Sequence, residues 1–193
     1  MALSAEDRIC SVCGSGKGIL QLSSGETVCS KCIADAGLIR STARDVPDAA
    51  ALRADIDRMQ RFRPSRLIGN VLALDGQNRL WRMPLRHEAV LRYEDLESFE
   101  IAEDALTLEK GKGGFAGRIG RRFGEKSAEV CNSLAILVRL KNGTEARMNF
   151  VIARVRKDSG LYQSAADLAG RCMAALQDIQ KAETQPPLLS SEK

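Results

Sequence analysis

The chain has 193 residues, 44% of them hydrophobic but only 4% aromatic, and its 29 Lys and Arg face 25 acids for a formal net charge of +4. That length suffices for one domain or for a small module beside a medium one, with an aliphatic core. The mild charge does not by itself call for a nucleic acid, so only local clusters can supply a strong field. The start, MALSAEDRIC, has no apolar run behind a basic head, and no stretch approaches the roughly 18 apolar residues of a membrane span. The chain is therefore expected to be soluble and cytoplasmic. In a reducing cytosol six cysteines are not expected to form a disulfide framework, and metal explains paired cysteines better.

The first segment, residues 8–40, holds C-x2-C, a gap of fifteen residues, then a second C-x2-C. Two intervening residues let both sulfurs of a tight turn face one ion, and the spacing fits a zinc site with Cys10, Cys13, Cys29 and Cys32 as ligands. Gly14 supplies the backbone freedom that the first turn needs. Gly18 to Val28 reads as a hairpin around Ser24-Gly25 that folds the second pair onto the first. A short helix is expected from the second pair through Leu38, as in a treble-clef or zinc-ribbon arrangement. So short a segment cannot bury enough apolar surface to fold alone. Structural zinc contributes roughly 10–16 kcal/mol in such peptides. Four thiolates leave no open coordination position, so one structural Zn2+ is expected, with iron as the alternative occupant.

Residues 45–62 read as a linking helix. Asp45 is placed to cap it, Pro47 suits its first turn, Leu52, Ile56 and Met59 recur at helical spacing, and Pro64 marks its end. Strands follow: an apolar run Ile68–Leu74, a turn at Asp75-Gly76 and a return over Arg79–Met83. The partial alternation of 93–103 predicts another strand, with a turn near Glu103-Asp104 before Ala105–Glu109. Leu134–Leu140, the Asn142-Gly143 turn and Ala146–Ala153 predict a hairpin.

From Ser159 or Gly160, the residues Leu161, Ala165, Leu168, Cys172, Leu176 and Ile179 trace one buried face of a long helix. The tail 183–193, with Pro186-Pro187 and Ser190-Ser191, is expected to be disordered. Strands followed by a terminal helix argue for an α+β fold.

Cys131 and Cys172 read as small buried hydrophobes. The single histidine, His87, reads as a solvated residue near a turn, without a cysteine or serine neighbour for a catalytic pair. Residues 110–126, KGKGGFAGRIGRRFGEK, place Lys110, Lys112, Arg118, Arg121, Arg122 and Lys126 among six glycines. This loop is either a solvated connection or an anion-binding wrap for nucleic-acid phosphate or anionic lipid. It matches neither a Walker loop nor G-x-G-x-x-G.

The motifs Cys10-Ser11-Val12-Cys13-Gly14, Cys29-Ser30-Lys31-Cys32 and Tyr93 to Glu100, the glycine-rich segment and Leu161-Tyr162 together resemble a family of bacterial proteins. Its members join an N-terminal four-cysteine zinc ribbon to a pleckstrin-homology-like domain. The resemblance implies that residues 67–182 form a bent, seven-stranded, partly closed sheet capped by the C-terminal helix. It implies no activity. The turn Asp75–Arg79 is poor in positive charge, so phosphoinositide binding between the first two strands is not expected. With a closed metal site and no acid–base or nucleophile constellation, the expectation is a non-enzymatic adaptor that binds another protein. Binding of nucleic acid or an anionic membrane surface through the basic loop and the Arg53, Arg58, Arg61, Arg63, Arg66 series is the alternative. An enzyme is the third and least expected reading.

Overall fold

The computed structural model describes residues 9–15, 17–84, 87–108 and 128–184. They form an α+β structure of helices and antiparallel sheets. The chain divides into two compact units, Met1–Tyr93 and Glu94–Lys193.

The first unit opens with the two-stranded hairpin β1 (Leu20–Gln21) and β2 (Thr27–Val28), in the register Leu20↔Val28. Gly25, at φ +90, provides the left-handed residue that the Ser24-Gly25 turn predicts. Helix α1 (Ser30–Asp35) follows at once. Gly37 ends it at φ +69, with Gly37 N donating to Ala34 O and Leu38 N to Ile33 O, the paired bonds of a Schellman cap. A single turn, α2 (Arg40–Ala43), leads to α3 (Ala49–Arg61).

The expected helix over 45–62 therefore starts later. Asp48, not Asp45, is the N-cap, accepting from Ala51 N at 2.8 Å. Pro47 precedes the cap, and its carbonyl accepts from Ser24 N at 2.8 Å, so 45–48 is a connector fastened to the hairpin tip. Leu52 is fully buried, as its helical spacing predicts.

Helix α3 serves two cores of this unit. Ala49 and Leu52 join Leu20, Leu22, Val28 and Ile33 around the cysteines. About two turns after Leu52, Met59 and then Phe62 pack on Ala73, Leu80 and Val90 of a sheet. That sheet is a four-stranded antiparallel meander of β3 (Arg66–Ile68), β4 (Leu72–Asp75), β5 (Leu80–Met83) and β6 (His87–Arg92).

Two expectations change here. The run Ile68–Leu74 is not one strand: Gly69, at φ +54, turns the chain so that Ile68 pairs with Leu72 across β3 and β4. His87 is a strand residue and not a loop residue: it opens β6, which pairs with β5 through Met83↔His87 and Trp81↔Leu91.

Asp75 closes the β4–β5 turn and is the one fully buried carboxylate among the described residues. Its two oxygens accept from Asn78 N (3.0 Å), Asn78 Nδ2 (2.7 Å) and Arg63 N (2.7 Å). Burial opposes its ionisation, but these hydrogen bonds outweigh burial and hold its carboxyl below the usual range.

In the second unit β7 (Leu96–Leu108) and β8 (Ala128–Leu140) are long antiparallel partners of 13 residues each. No turn interrupts β7 at Glu103-Asp104. The expected break is a bulge instead, in which Asn132 of β8 is the extra residue opposite the Asp104/Ala105 step. β8 also pairs with β9 (Glu145–Val151) and β10 (Val155–Arg156). The Asn142-Gly143 turn is present, with Gly143 at φ +81 and Asn142 Oδ1 accepting from Thr144 N. Ala146 and Met148 are buried at alternate positions, and the extra residue Phe150 shifts the alternation so that Val151 is buried too.

The terminal helix α4 (Gly160–Thr184) packs on this sheet through Ala169, Cys172, Ala175, Leu176 and Ile179, all fully buried. Its predicted stripe holds from Cys172 onward, whereas Leu161 at the first turn is 69% exposed. The helix also runs two residues into the expected tail: Glu183 forms an ion pair with Lys141. The rest of that tail lies outside the described residues. No described helix is long and apolar enough to cross a membrane.

Candidate metal centre

The first cysteine pair sits in a knuckle whose turn closes by Gly14 N donating to Cys10 O at 2.9 Å. Gly14 has φ +68, a conformation that disfavours any side chain, although open space surrounds it. The second pair sits at the start of α1. Cys29 is the N-cap, and its Sγ accepts from Cys32 N at 3.5 Å. The hairpin joins the pairs: Ser11 N donates to Thr27 O at 2.8 Å, and Cys29 N donates to Cys10 Sγ at 3.3 Å. Backbone geometry thus aims four sulfurs at one point.

All four Sγ atoms lie within 4.8 Å of one another, a cluster that can hold a metal ion. Cys10 Sγ is 3.8 Å from Cys32 Sγ, and Cys13 Sγ is 3.8 Å from Cys29 Sγ. These distances are far beyond the ~2.05 Å of a disulfide. Cys10, Cys29 and Cys32 are buried, and Cys13 is exposed.

The protonation of the set is uneven. Burial opposes ionisation of Cys10, but backbone N–H groups of Cys13, Cys29 and Val12 hold its thiol below the ordinary value. Burial, reinforced by hydrogen bonds with the other three sulfurs, pushes the Cys32 thiol far up. Four neighbouring thiols cannot all ionise without a cation at their centre, so loading a divalent metal must release protons.

Helix α3 fastens the first knuckle from outside. Arg53 donates through Nε to Val12 O at 3.3 Å and through its terminal nitrogen to Ser11 O. Glu26, next to the hairpin turn, accepts from Ser24 Oγ (2.8 Å) and from Ala49 N at the start of α3 (2.9 Å). The helix that the sequence places as a linker is therefore part of the support of the cysteine cluster. An arginine spaced forty residues from the knuckle carries no sequence signal of that role.

The remaining expected residues fall elsewhere. Lys110, Lys112, Arg118, Arg121, Arg122 and Lys126 lie outside the described residues. Of the arginine series, Arg58 is bound to Asp55 and to Val90 O, Arg61 to Asp57 O, and Arg63 to Gln60 O and Phe62 O. Cys131 lies within β8, not before it, and Cys172 lies on α4; both are buried. Burial pushes both thiols up, Cys172 to about 11, which leaves them un-ionised and unreactive at neutral pH.

A second polar cluster had no sequence signature, because its members come from separate elements. Glu103 Oε1 accepts from Tyr162 Oη at 2.8 Å and pairs with Lys157 Nζ at 2.9 Å, beside buried Cys131. The hydrogen bond from Lys157 leads in holding the Glu103 carboxyl down, and the bonds to Glu103 raise both Lys157 and Tyr162. Every shift in the cluster stabilises the resting protonation state, opposite to what a base or nucleophile needs.

No family model, curated protein or solved structure matches this chain.

Proposed function

We propose that the chain is a cytoplasmic, non-enzymatic interaction protein whose N-terminal module is organised by one structural Zn2+ on Cys10, Cys13, Cys29 and Cys32. The carrying observation is the pair of sulfur–sulfur distances, 3.8 Å each. A tetrahedron with Zn–S bonds of about 2.3 Å has edges of about 3.8 Å. The N–H groups aimed at Cys10, that of Cys29 among them, favour thiolate there, as a metal requires. Four protein ligands leave no position for water or substrate, so the ion holds structure and does not activate a reactant.

A pleckstrin-homology-like arrangement of 67–182 is supported by element order: a four-strand meander, the meander β7–β8–β9, the two-residue strand β10 beside β8, then a terminal helix. A protein partner fits better than a phosphate backbone, because Arg53, Arg58, Arg61 and Arg63 are engaged in bonds within the chain. The resting protonation of the Glu103 cluster supports a non-catalytic role.

Elemental analysis of protein purified without chelator should give one zinc per chain. Protein that is metal-free, or red with iron, would overturn the zinc assignment. Capture of specific partners from the native host by the zinc-loaded chain tests the interaction role. Recovery of nothing above background counts against it.

A further inference from the structure

β7 pairs with β8 alone among the described residues, so one edge of a 13-residue strand has no ladder. The outward N–H and C=O groups of such an edge are a template for another strand. Side chains on both faces of β7 are exposed, including Ile101 at 53% and Leu106 at 50%. Exposed edges are commonly guarded by charged side chains, proline or bulges; residues 96–108 contain no lysine or proline, and their guards are carboxylates and the extra residue Glu97 between Leu96 and Ser98. They carry four acids, Glu97, Glu100, Glu103 and Asp104, and no base.

Those carboxylates differ in availability. Glu103 is paired with Lys157, and Asp104 accepts from Asn132 Nδ2. Glu97 and Glu100 have no ion-pair partner within 4 Å among the described residues. Arg139, the nearest base across the ladder, is bonded to Glu145 at 2.6 Å. Arg139 also interacts electrostatically with Glu97 and Glu100, and Glu97 O accepts from Gln180 Nε2, but with four acids and no base in the strand the edge beyond Glu97 keeps a net negative field among the described residues.

That field selects the occupant. Two antiparallel copies of β7 paired about its middle residue, Ala102, would set Glu100 of each against Asp104 of the other, and like charges directly opposite are destabilising. Nucleic acid and anionic lipid are repelled. We propose that the β7 edge accepts an extended segment of a partner protein as an added strand, one rich in Lys or Arg with apolar residues between them. This rests on the interaction role proposed above and names the chemistry of its partner.

The test uses the zinc-loaded full chain and three short synthetic peptides. The first alternates Lys and Val, the second has Glu in place of Lys, and the third is the lysine peptide N-methylated at alternate residues. Fluorescence anisotropy reads affinity, and amide hydrogen exchange reads location. The lysine peptide should bind and slow exchange within 96–108. The acidic and N-methylated peptides should bind at least about tenfold more weakly, the N-methylated one because it keeps charge but loses one edge of donors. The variant Glu97→Lys/Glu100→Lys should weaken binding of the lysine peptide by about tenfold. Because the N-methylated peptide leaves the protein unaltered, a misfolded variant cannot rescue or sink the idea.

No binding of the lysine peptide, binding insensitive to N-methylation, protection only outside 96–108, or a wild-type dimer formed through β7 overturns the proposal. A host partner held equally by wild type and the double variant also overturns it, while leaving the interaction role standing. Absence of any partner with both overturns that role.

Discussion

The segment around the cysteines and the Glu94–Lys193 unit solve the same problem differently. The first builds from two-residue strands and a six-residue helix. Elements so short cannot bury a core of useful size, and three of the buried residues of this one are cysteines, Cys10, Cys29 and Cys32. The second pairs two 13-residue strands and covers them with a 25-residue helix. Its buried face is Leu, Ile, Val, Ala and Met148, and its two cysteines are simply part of that face. Where local structure is short, the proposed metal would have to supply the stability; where it is long, side-chain burial can supply it.

The sharpest way to break this contrast is to remove the metal. Chelation, or Cys10→Ser with Cys29→Ser, should abolish exchange protection across 10–56, since structural zinc contributes about 10–16 kcal/mol in comparable modules. Protection in β8, β9 and α4 should survive. Thiol titration gives a parallel readout: chelation should expose the four clustered cysteines to a maleimide while buried Cys131 and Cys172 stay slow. Equal loss of protection in both regions would mean that the second is no more self-sufficient than the first.

Much of this contrast was legible in the sequence, because its strongest signals are spacings. The doubled C-x2-C, Gly14, the Ser24-Gly25 and Asn142-Gly143 turns and the stripe of α4 each encode a local geometry directly. The misreadings fall where tertiary pairing decides. Ile68–Leu74 looks like one strand until Gly69 is seen to turn it, and β6 has a weak pattern rescued by pairing with β5. The apparent turn at Glu103-Asp104 comes from a residue inserted in the partner strand, 28 positions away from Asp104 at Asn132. Arg53, Glu26 and the Glu103 cluster support the structure through contacts across long sequence separations, which no periodicity reports.

A smaller effect is expected at Asp75, which tests whether the first unit depends on anything besides metal. Asp75→Ala would leave Arg63 N and Asn78 N without their acceptor in a buried turn, at a cost of about 3 kcal/mol. The pH dependence has a definite sign. The folded-state carboxyl is held below its ordinary value, so its contribution is present above that value and disappears as pH falls through the folded-state value. Urea melts of wild type and Asp75→Asn should therefore differ most near neutral pH and converge in acid. A difference that stays constant down to pH ~3 would assign the stabilisation to shape and not to charge.

Arg53→Ala should cost less, about 1 kcal/mol, because it removes bonds to Ser11 O and Val12 O from an exposed side chain. The informative readout is metal exchange. If Arg53 clamps the knuckle, zinc transfer to a competing chelator should accelerate several-fold with little change in the melting of the second unit. Unchanged transfer would reduce Arg53 to a surface contact.

The smallest effect belongs to the second unit, whose polar cluster should matter little if burial alone sustains it. Tyr162→Phe removes one hydrogen bond to Glu103 but leaves the ring and the Lys157 pair in place. The partly exposed setting limits the loss to about 1 kcal/mol or less. Without the hydroxyl, the Glu103 carboxyl should titrate closer to the ordinary range, since Lys157 still holds it down as the leading cause. A carbon-detected NMR titration of Glu103 reads that change beside a thermal melt. A large loss of stability would show that α4 is held by this polar contact as much as by its apolar face, and would erase the contrast between the two regions.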